Sequence, residues 1–300
     1  MKHIGGNQSL DYHSQPHGNT TGFCLYAAST IELDLLLTTA KKIWSDTRGL
    51  IHVAGLRFAL RWLSMVAVKF TQCWRERNLQ PADHAMGNGP FDVRLRHIRS
   101  RLIGPRVTSG MREIWVRDVY TGGGFLEIHN GDTVVDLGAN KGNFTALALG
   151  AGPKVQVICV EANRQCVANL ERTISANHSE DRVRIIHQFI GGRSGFQTAL
   201  QASTDGRNIT YITEENFVEQ MELNQIDFLK CDIEGSEYEL LTRDSLLMAM
   251  TNQLAIELHP NEGDCKAFIA MLGQMGFQLQ IDSQPPTYIV RARRPSARLA

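Results

Sequence analysis

Val134-Val135-Asp136-Leu137-Gly138-Ala139-Asn140-Lys141-Gly142-Asn143-Phe144 joins an apolar strand to a helix through an acid and two glycines. Gly138 permits a tight turn, and Gly142 lets the helix begin close to a ligand or to the strand. Downstream, Val155–Val160 is a second apolar run, and it ends in Glu161. A carboxylate there can accept hydrogen bonds from both hydroxyls of a ribose. Its separation from Gly138 is close to the roughly 20 residues that such a unit requires. The expected ligand is therefore of nucleotide type. The phosphate-loop pattern G-x-x-x-x-G-K-S/T is absent, which argues against ATP hydrolysis. The dinucleotide pattern G-x-G-x-x-G fails because Asn140 stands at its second glycine, where the backbone must approach a pyrophosphate. Asp136 would repel a diphosphate yet suits the ammonium of a methionine moiety. These residues favour S-adenosylmethionine.

Outward from this loop the chain alternates strands and helices. Thr133–Leu137, Val155–Val160, Val183–Ile190, Ile226–Cys231 and Leu254–Leu258 read as strands. Asn143–Leu149, Gln165–Ala176, Ser236–Met248 and Asp264–Met275 read as helices. Phe277–Ile281 and Thr287–Val290 close the chain around the turn residues Asp282–Pro286. Strands separated by helices imply parallel pairing, because parallel strands need crossovers. The predicted fold is α/β, a doubly wound, mostly parallel seven-stranded sheet of Rossmann-like type, with its last strand antiparallel. Ligands then sit at the carboxyl ends of the central strands.

Gln225-Ile226-Asp227-Phe228-Leu229-Lys230-Cys231-Asp232-Ile233-Glu234-Gly235-Ser236-Glu237 ends the fourth strand with a dense polar group. Alternation puts Lys230 and Asp232 on one face. An unpaired ammonium in a buried strand is costly, so Lys230 is expected to pair with a carboxylate. Asp232 and Glu234 sit at the crevice edge, and His259 follows the fifth strand. These three are the catalytic candidates. His259 is favoured as base for its neutral-range pKa, with Glu257 available to orient it.

DLGANKGNF, DFLKCDIEGSEYELL and Ile256-Glu257-Leu258-His259-Pro260 together resemble the FkbM family of methyltransferases, over about 115–292. The resemblance implies a class I methyltransferase fold, S-adenosylmethionine as cofactor, and O-methylation of a hydroxyl on a sugar or secondary metabolite. It also implies that Asp136, Gly138, Asn140, Gly142 and Glu161 contact the cofactor. Asp232, Glu234, Gly235 and Glu237 match the family's acidic signature, while Cys231 stands where an aliphatic residue is common. An NAD-dependent oxidoreductase and a non-catalytic S-adenosylmethionine-binding protein are the rival readings.

Upstream, three divisions are expected: a disordered tail over 1–25, a helical extension over 26–90 and the methyltransferase domain over 91–300. The first 22 residues are polar and lack the apolar core of a signal peptide. Helical patterns occupy about 30–46 and 51–78, and Pro81–Pro90 reads as a linker. Arg57, Arg61 and Lys69 interrupt the most apolar stretch, Ile51–Phe70, making it amphipathic and not membrane-spanning. Thirty-one basic residues balance thirty-one acidic ones. That balance gives no global field to recruit nucleic acid or anionic membrane, and the basic run Arg94–Arg106 reads as a solvated face. A small-molecule or glycan acceptor fits it. None of the six cysteines forms a C-x-x-C pair, which points to reduced thiols, a cytoplasmic location and no metal site.

Overall fold

The computed structural model describes residues 20–192, 194–203, 208–284 and 287–295. Two compact units divide the chain, residues 1–45 and 46–300. The first carries most of a helix, Thr20–Ala54; residues 1–19 of the expected tail lie outside the described residues. Everything that follows belongs to the second unit, which also takes in residues 46–90.

Eleven strands are found among the described residues. β1 (Phe91–Leu95) and β2 (Ile98–Leu102) form an antiparallel hairpin. β3 (Thr133–Leu137), β4 (Gln156–Val160) and β5 (Val183–Ile186) follow, then the short β6 (Phe189–Ile190) and β7 (Tyr211–Ile212). β8 (Ile226–Cys231), β9 (Thr251–Leu258), β10 (Gln278–Gln284) and β11 (Thr287–Arg293) complete the set. The main sheet has seven strands in the order β10-β11-β9-β8-β3-β4-β5. Pairing is parallel from β9 to β5, and β11 runs antiparallel to both of its neighbours. Chain order turns back between β3 and β8, the switch point of a doubly wound sheet, so the crevice opens at their carboxyl ends.

Capping chemistry sets the helices. Asn163 accepts from the Gln165 and Cys166 amides to start Arg164–Ala176, and Asp264 does the same for Cys265–Gln274. Three expectations are corrected. The strand over Val183–Ile190 breaks after Ile186, because β5 is a sheet edge and Phe189–Ile190 turns away to pair with β7. The helix over Ser236–Met248 is two short helices, Glu237–Leu240 and Leu246–Met250, with the Ser245 hydroxyl capping the second. The linker over Pro81–Pro90 contains a helix, Gln80–Ala85, because Asp83 is needed inside. Asp83 is fully buried and takes Trp62 Nε1 at 2.8 Å and a two-pronged Arg112 guanidinium at 2.9 and 2.5 Å. Arg112 also reaches Asp46 at 2.6 Å, so buried charge fastens the helices before residue 90 to the rest of the unit. The basic run at Arg94–Arg106 forms the β1–β2 hairpin, with Ile98 and Leu102 buried and its arginines outward or half-covered.

Candidate active site

Two adjacent strand ends build the crevice. Gly138 (φ 75°) leaves β3, and a Cβ on it would lie 1.7 Å from the Asp232 carbonyl oxygen, so the loop and the end of β8 touch as backbones. Only glycine fits there. Asn140 (φ 50°) turns the loop back, and its amide donates to Glu161 Oε2 at 2.7 Å. The Asn163 amide donates to Glu161 Oε1 at 2.6 Å. Glu161 is thus fixed across the mouth of the loop, with lone pairs remaining on both oxygens. Burial raises its pKa, against the pull of these two amides. Gly142 (φ 82°) opens the helix Asn143–Gly150. The crevice is about 640 Å³ including its open mouth, within the range of small-molecule pockets. Gly138, Asn140, Glu161, Phe189, Asp232 and Glu234 are among its lining residues.

Asp136, expected as a cofactor contact, is the fourth residue of β3. It is 0% exposed and lies beneath the loop, outside the crevice lining. Its register partner on β8 is Lys230, whose ammonium stands 3.3 Å from Asp136 Oδ1, while Thr145 donates to Oδ2 at 2.7 Å. The reason is pleat geometry: a residue in mid-sheet with a cation beside it finds its partner inside. The expected carboxylate partner of Lys230 is therefore Asp136. Lys230 also donates to the Leu137 and Gly138 carbonyls at 3.1 and 2.7 Å, tying the buried pair to the turn. Burial pulls the Lys230 pKa down, but Asp136 and then Asp232 outweigh it and hold the ammonium charged.

Asp232, Glu234 and His259 do come together. His259 Nε2 is 3.4 Å from Glu234, and Nδ1 is 3.1 Å from Glu237, which is fully buried. Glu237 Oε1 also accepts the Ile233 amide, which pins the strand end. Burial lowers the His259 pKa, yet Glu237, Asp232 and Glu234 raise it to about 9. At neutral pH His259 is therefore an imidazolium, and the neutral-range pKa that favoured it as base is lost. Asp232, Glu237 and His259 each offer a potential ligand atom, all within 4.8 Å of one another.

A pH prediction follows from that pair. The folded pKa of His259 lies above the ordinary 6.5, so its stabilising contribution is complete below about 6.5 and lost as pH rises through about 9. The melting temperature should fall across that window, and His259→Gln should flatten the fall. An identical pH slope in the variant would remove His259 from this role.

Sequence reading missed Glu113, Tyr120 and, as an acid of the site, Glu257. Tyr120 is buried and donates to Asp232 Oδ2 at 3.3 Å, with its ring under the Lys230 ammonium. Glu257 on β9 has its pKa raised to about 7, by burial first and then by Asp232. Glu113 lies on a π-helical turn, Met111–Val116, and burial followed by Asp232 raises its pKa too. No periodic signal marks 107–128; only the alternation of Glu257 with His259 was available.

Residues 136–279 match the family model described as methyltransferase FkbM domain. A comparison with curated proteins gives no significant match. Among solved structures, precorrin-6y C5,15-methyltransferase from Geobacter metallireducens GS-15 is similar at 14% identity, over 60% of this chain and 88% of that one, with TM-score 0.40. A SAM-dependent methyltransferase from Aquifex aeolicus is similar at 14% identity, over 55% and 84%, with TM-score 0.35. An O-methyltransferase family protein from Burkholderia thailandensis is similar at 11% identity, over 64% and 60%, with TM-score 0.37.

Proposed function

From the FkbM methyltransferase domain that this chain carries over residues 136–279, we propose that it transfers a methyl group from S-adenosylmethionine to a hydroxyl of a sugar or secondary metabolite. The observation that carries this reading is the crevice itself. A glycine-only contact lets the loop after β3 meet the end of β8, and Glu161 is held across the opening. The residues present fit the cofactor: Gly138 lets the turn close on the end of β8, and Glu161 offers free lone pairs to the ribose hydroxyls. Bound there, S-adenosylmethionine supplies an electrophilic sulfonium methyl, open to in-line displacement by an oxygen nucleophile.

The chain's own work is then alignment, exclusion of water and proton removal. Asp232 lines the same crevice and is held by Tyr120, so it can orient the acceptor hydroxyl and take its proton as the carbon–oxygen bond forms. His259, charged at neutral pH, holds Glu234 and Glu237 in place. A neutral small molecule or glycan suits a crevice lined by carboxylates better than a polyanion does.

Calorimetry with S-adenosylmethionine and with NAD separates this from the oxidoreductase reading, and binding of NAD alone would overturn it. Labelled methyl transfer to a panel of hydroxylated sugars and secondary metabolites tests the acceptor class. Glu161→Gln should weaken S-adenosylmethionine binding by about 1–3 kcal/mol, because the crevice loses its charged acceptor. The melting temperature should stay within a few degrees of wild type. Unchanged affinity would take Glu161 out of the cofactor site.

A further inference from the structure

The helices Leu56–Val68 and Phe70–Glu76 bury one side, through Ala59, Trp62, Val66 and Cys73. Trp62 is fixed there by its bond to Asp83 and by the Arg112 guanidinium over its ring. Their outward side is also apolar. Leu56, Leu60, Leu63, Val68, Phe70 and Trp74 are 38–70% exposed. Leu56, Leu60 and Leu63 recur at the spacing that stacks side chains on one helix face, and Ala67 continues it. Phe70 and Trp74 stack with ring centroids 6.3 Å apart. A contiguous apolar stripe on a firmly anchored element marks a site of interaction.

Charge identifies the partner. Between residues 51 and 77 stand Arg57, Arg61, Lys69, Arg75 and Arg77, with Glu76 the one carboxylate. Arg57, Arg61 and Ser64 follow the three leucines by one residue each, so the cations flank the stripe. We infer that this face lies on an anionic lipid surface, its leucines and aromatic rings in the headgroup boundary and its arginines against lipid phosphates and carboxylates. Amphipathic helices with a basic rim bind membranes in this way, and tryptophan favours that depth. Among the described residues no helix is long and apolar enough to cross a membrane, so the contact is peripheral. A second copy fits less well, because pairing this face with itself brings arginine flanks together. The helix of 13 residues also spans only about 20 Å at the usual rise.

Full-length protein centrifuged with vesicles tests the inference. Protein should sediment with phosphatidylcholine vesicles containing phosphatidylserine and stay in solution with phosphatidylcholine alone. Arg57→Gln and Arg61→Gln should each weaken binding about fivefold, and added salt should mimic them. The double substitution Leu60→Gln/Leu63→Gln should weaken it by about tenfold or more, with circular dichroism showing the fold intact. Failure of wild-type protein to sediment with anionic vesicles overturns the inference. So does a dimer, seen by light scattering, that Leu60→Gln/Leu63→Gln dissociates; the occupant would then be a second copy. Methyl transfer to a soluble acceptor is unaffected by these variants, so this result stands apart from the catalytic reading.

Discussion

Replacing Asp136 with alanine should destabilise the protein by about 3–5 kcal/mol, the effect of leaving one member of a buried ion pair alone. Lys230 is almost wholly buried, and its nearest carboxylate is Asp136 at 3.3 Å. Asp232, at 4.0 Å and with its side chain 26% exposed, is a weaker substitute. Without Asp136 the ammonium must either lose its proton or draw water beneath the cofactor loop. Both outcomes loosen the Leu137 and Gly138 carbonyls to which Lys230 donates. The urea midpoint of Asp136→Ala should therefore drop sharply. Lys230→Met in the same chain should recover much of the loss, because an apolar side chain of similar length leaves no stranded charge. Cofactor affinity would fall only as far as the folded fraction falls. If Asp136→Ala kept the wild-type urea midpoint and lost affinity alone, Asp136 would be a direct ligand of the methionine ammonium after all. The contrast with Glu161→Gln is the diagnostic: one substitution moves stability, the other affinity.

Asp136 also shows where sequence reading reaches its limit. The strand, the turn and the helix around it are written in apolar runs and glycine positions, which local sterics enforce, and β3 and β8 are found where they were expected. Lys230 needed a buried carboxylate on desolvation grounds alone. What the sequence could not supply was the partner, because the pairing depends on which residue of β3 lies beside Lys230 in register. A one-residue slip would have turned Asp136 toward the other face. His259 is a similar case. Its place after β9 was legible, but its protonation depends on Glu237, at the start of the helix after β8, reaching it at 3.1 Å. The segment before residue 90 was least legible. Pro81 and the glycines at 87 and 89 signal a loop, whereas Asp83 within it anchors Arg112 and Trp62 at a distance of 29 and 21 residues. Glu113 and Tyr120 came from a stretch with no period at all, and tertiary contacts alone bring them to Asp232.

Asp232→Asn should lower turnover by about two orders of magnitude or more, while binding of S-adenosylmethionine changes little. Asparagine keeps the shape and can still accept the Tyr120 hydroxyl, so the geometry at the end of β8 should survive. What disappears is the negative charge that orients the acceptor hydroxyl and receives its proton. The carboxylate lines the crevice and is 26% exposed at its side chain, close enough to solvent to meet an acceptor. His259 cannot take over at neutral pH, since it already carries its proton. Glu257 is the competing base: its pKa near 7 would place the acid limb of the pH–rate profile there. Steady-state kinetics on Asp232→Asn and Glu257→Gln, each followed across pH, divide the two. Loss of turnover in Asp232→Asn with the acid limb abolished there and retained in Glu257→Gln makes Asp232 the residue that handles the proton. Wild-type turnover in Asp232→Asn, with the limb abolished in Glu257→Gln, moves that task to Glu257. A tenfold or greater loss of cofactor affinity in Asp232→Asn would place the carboxylate on the methyl donor and not on the acceptor.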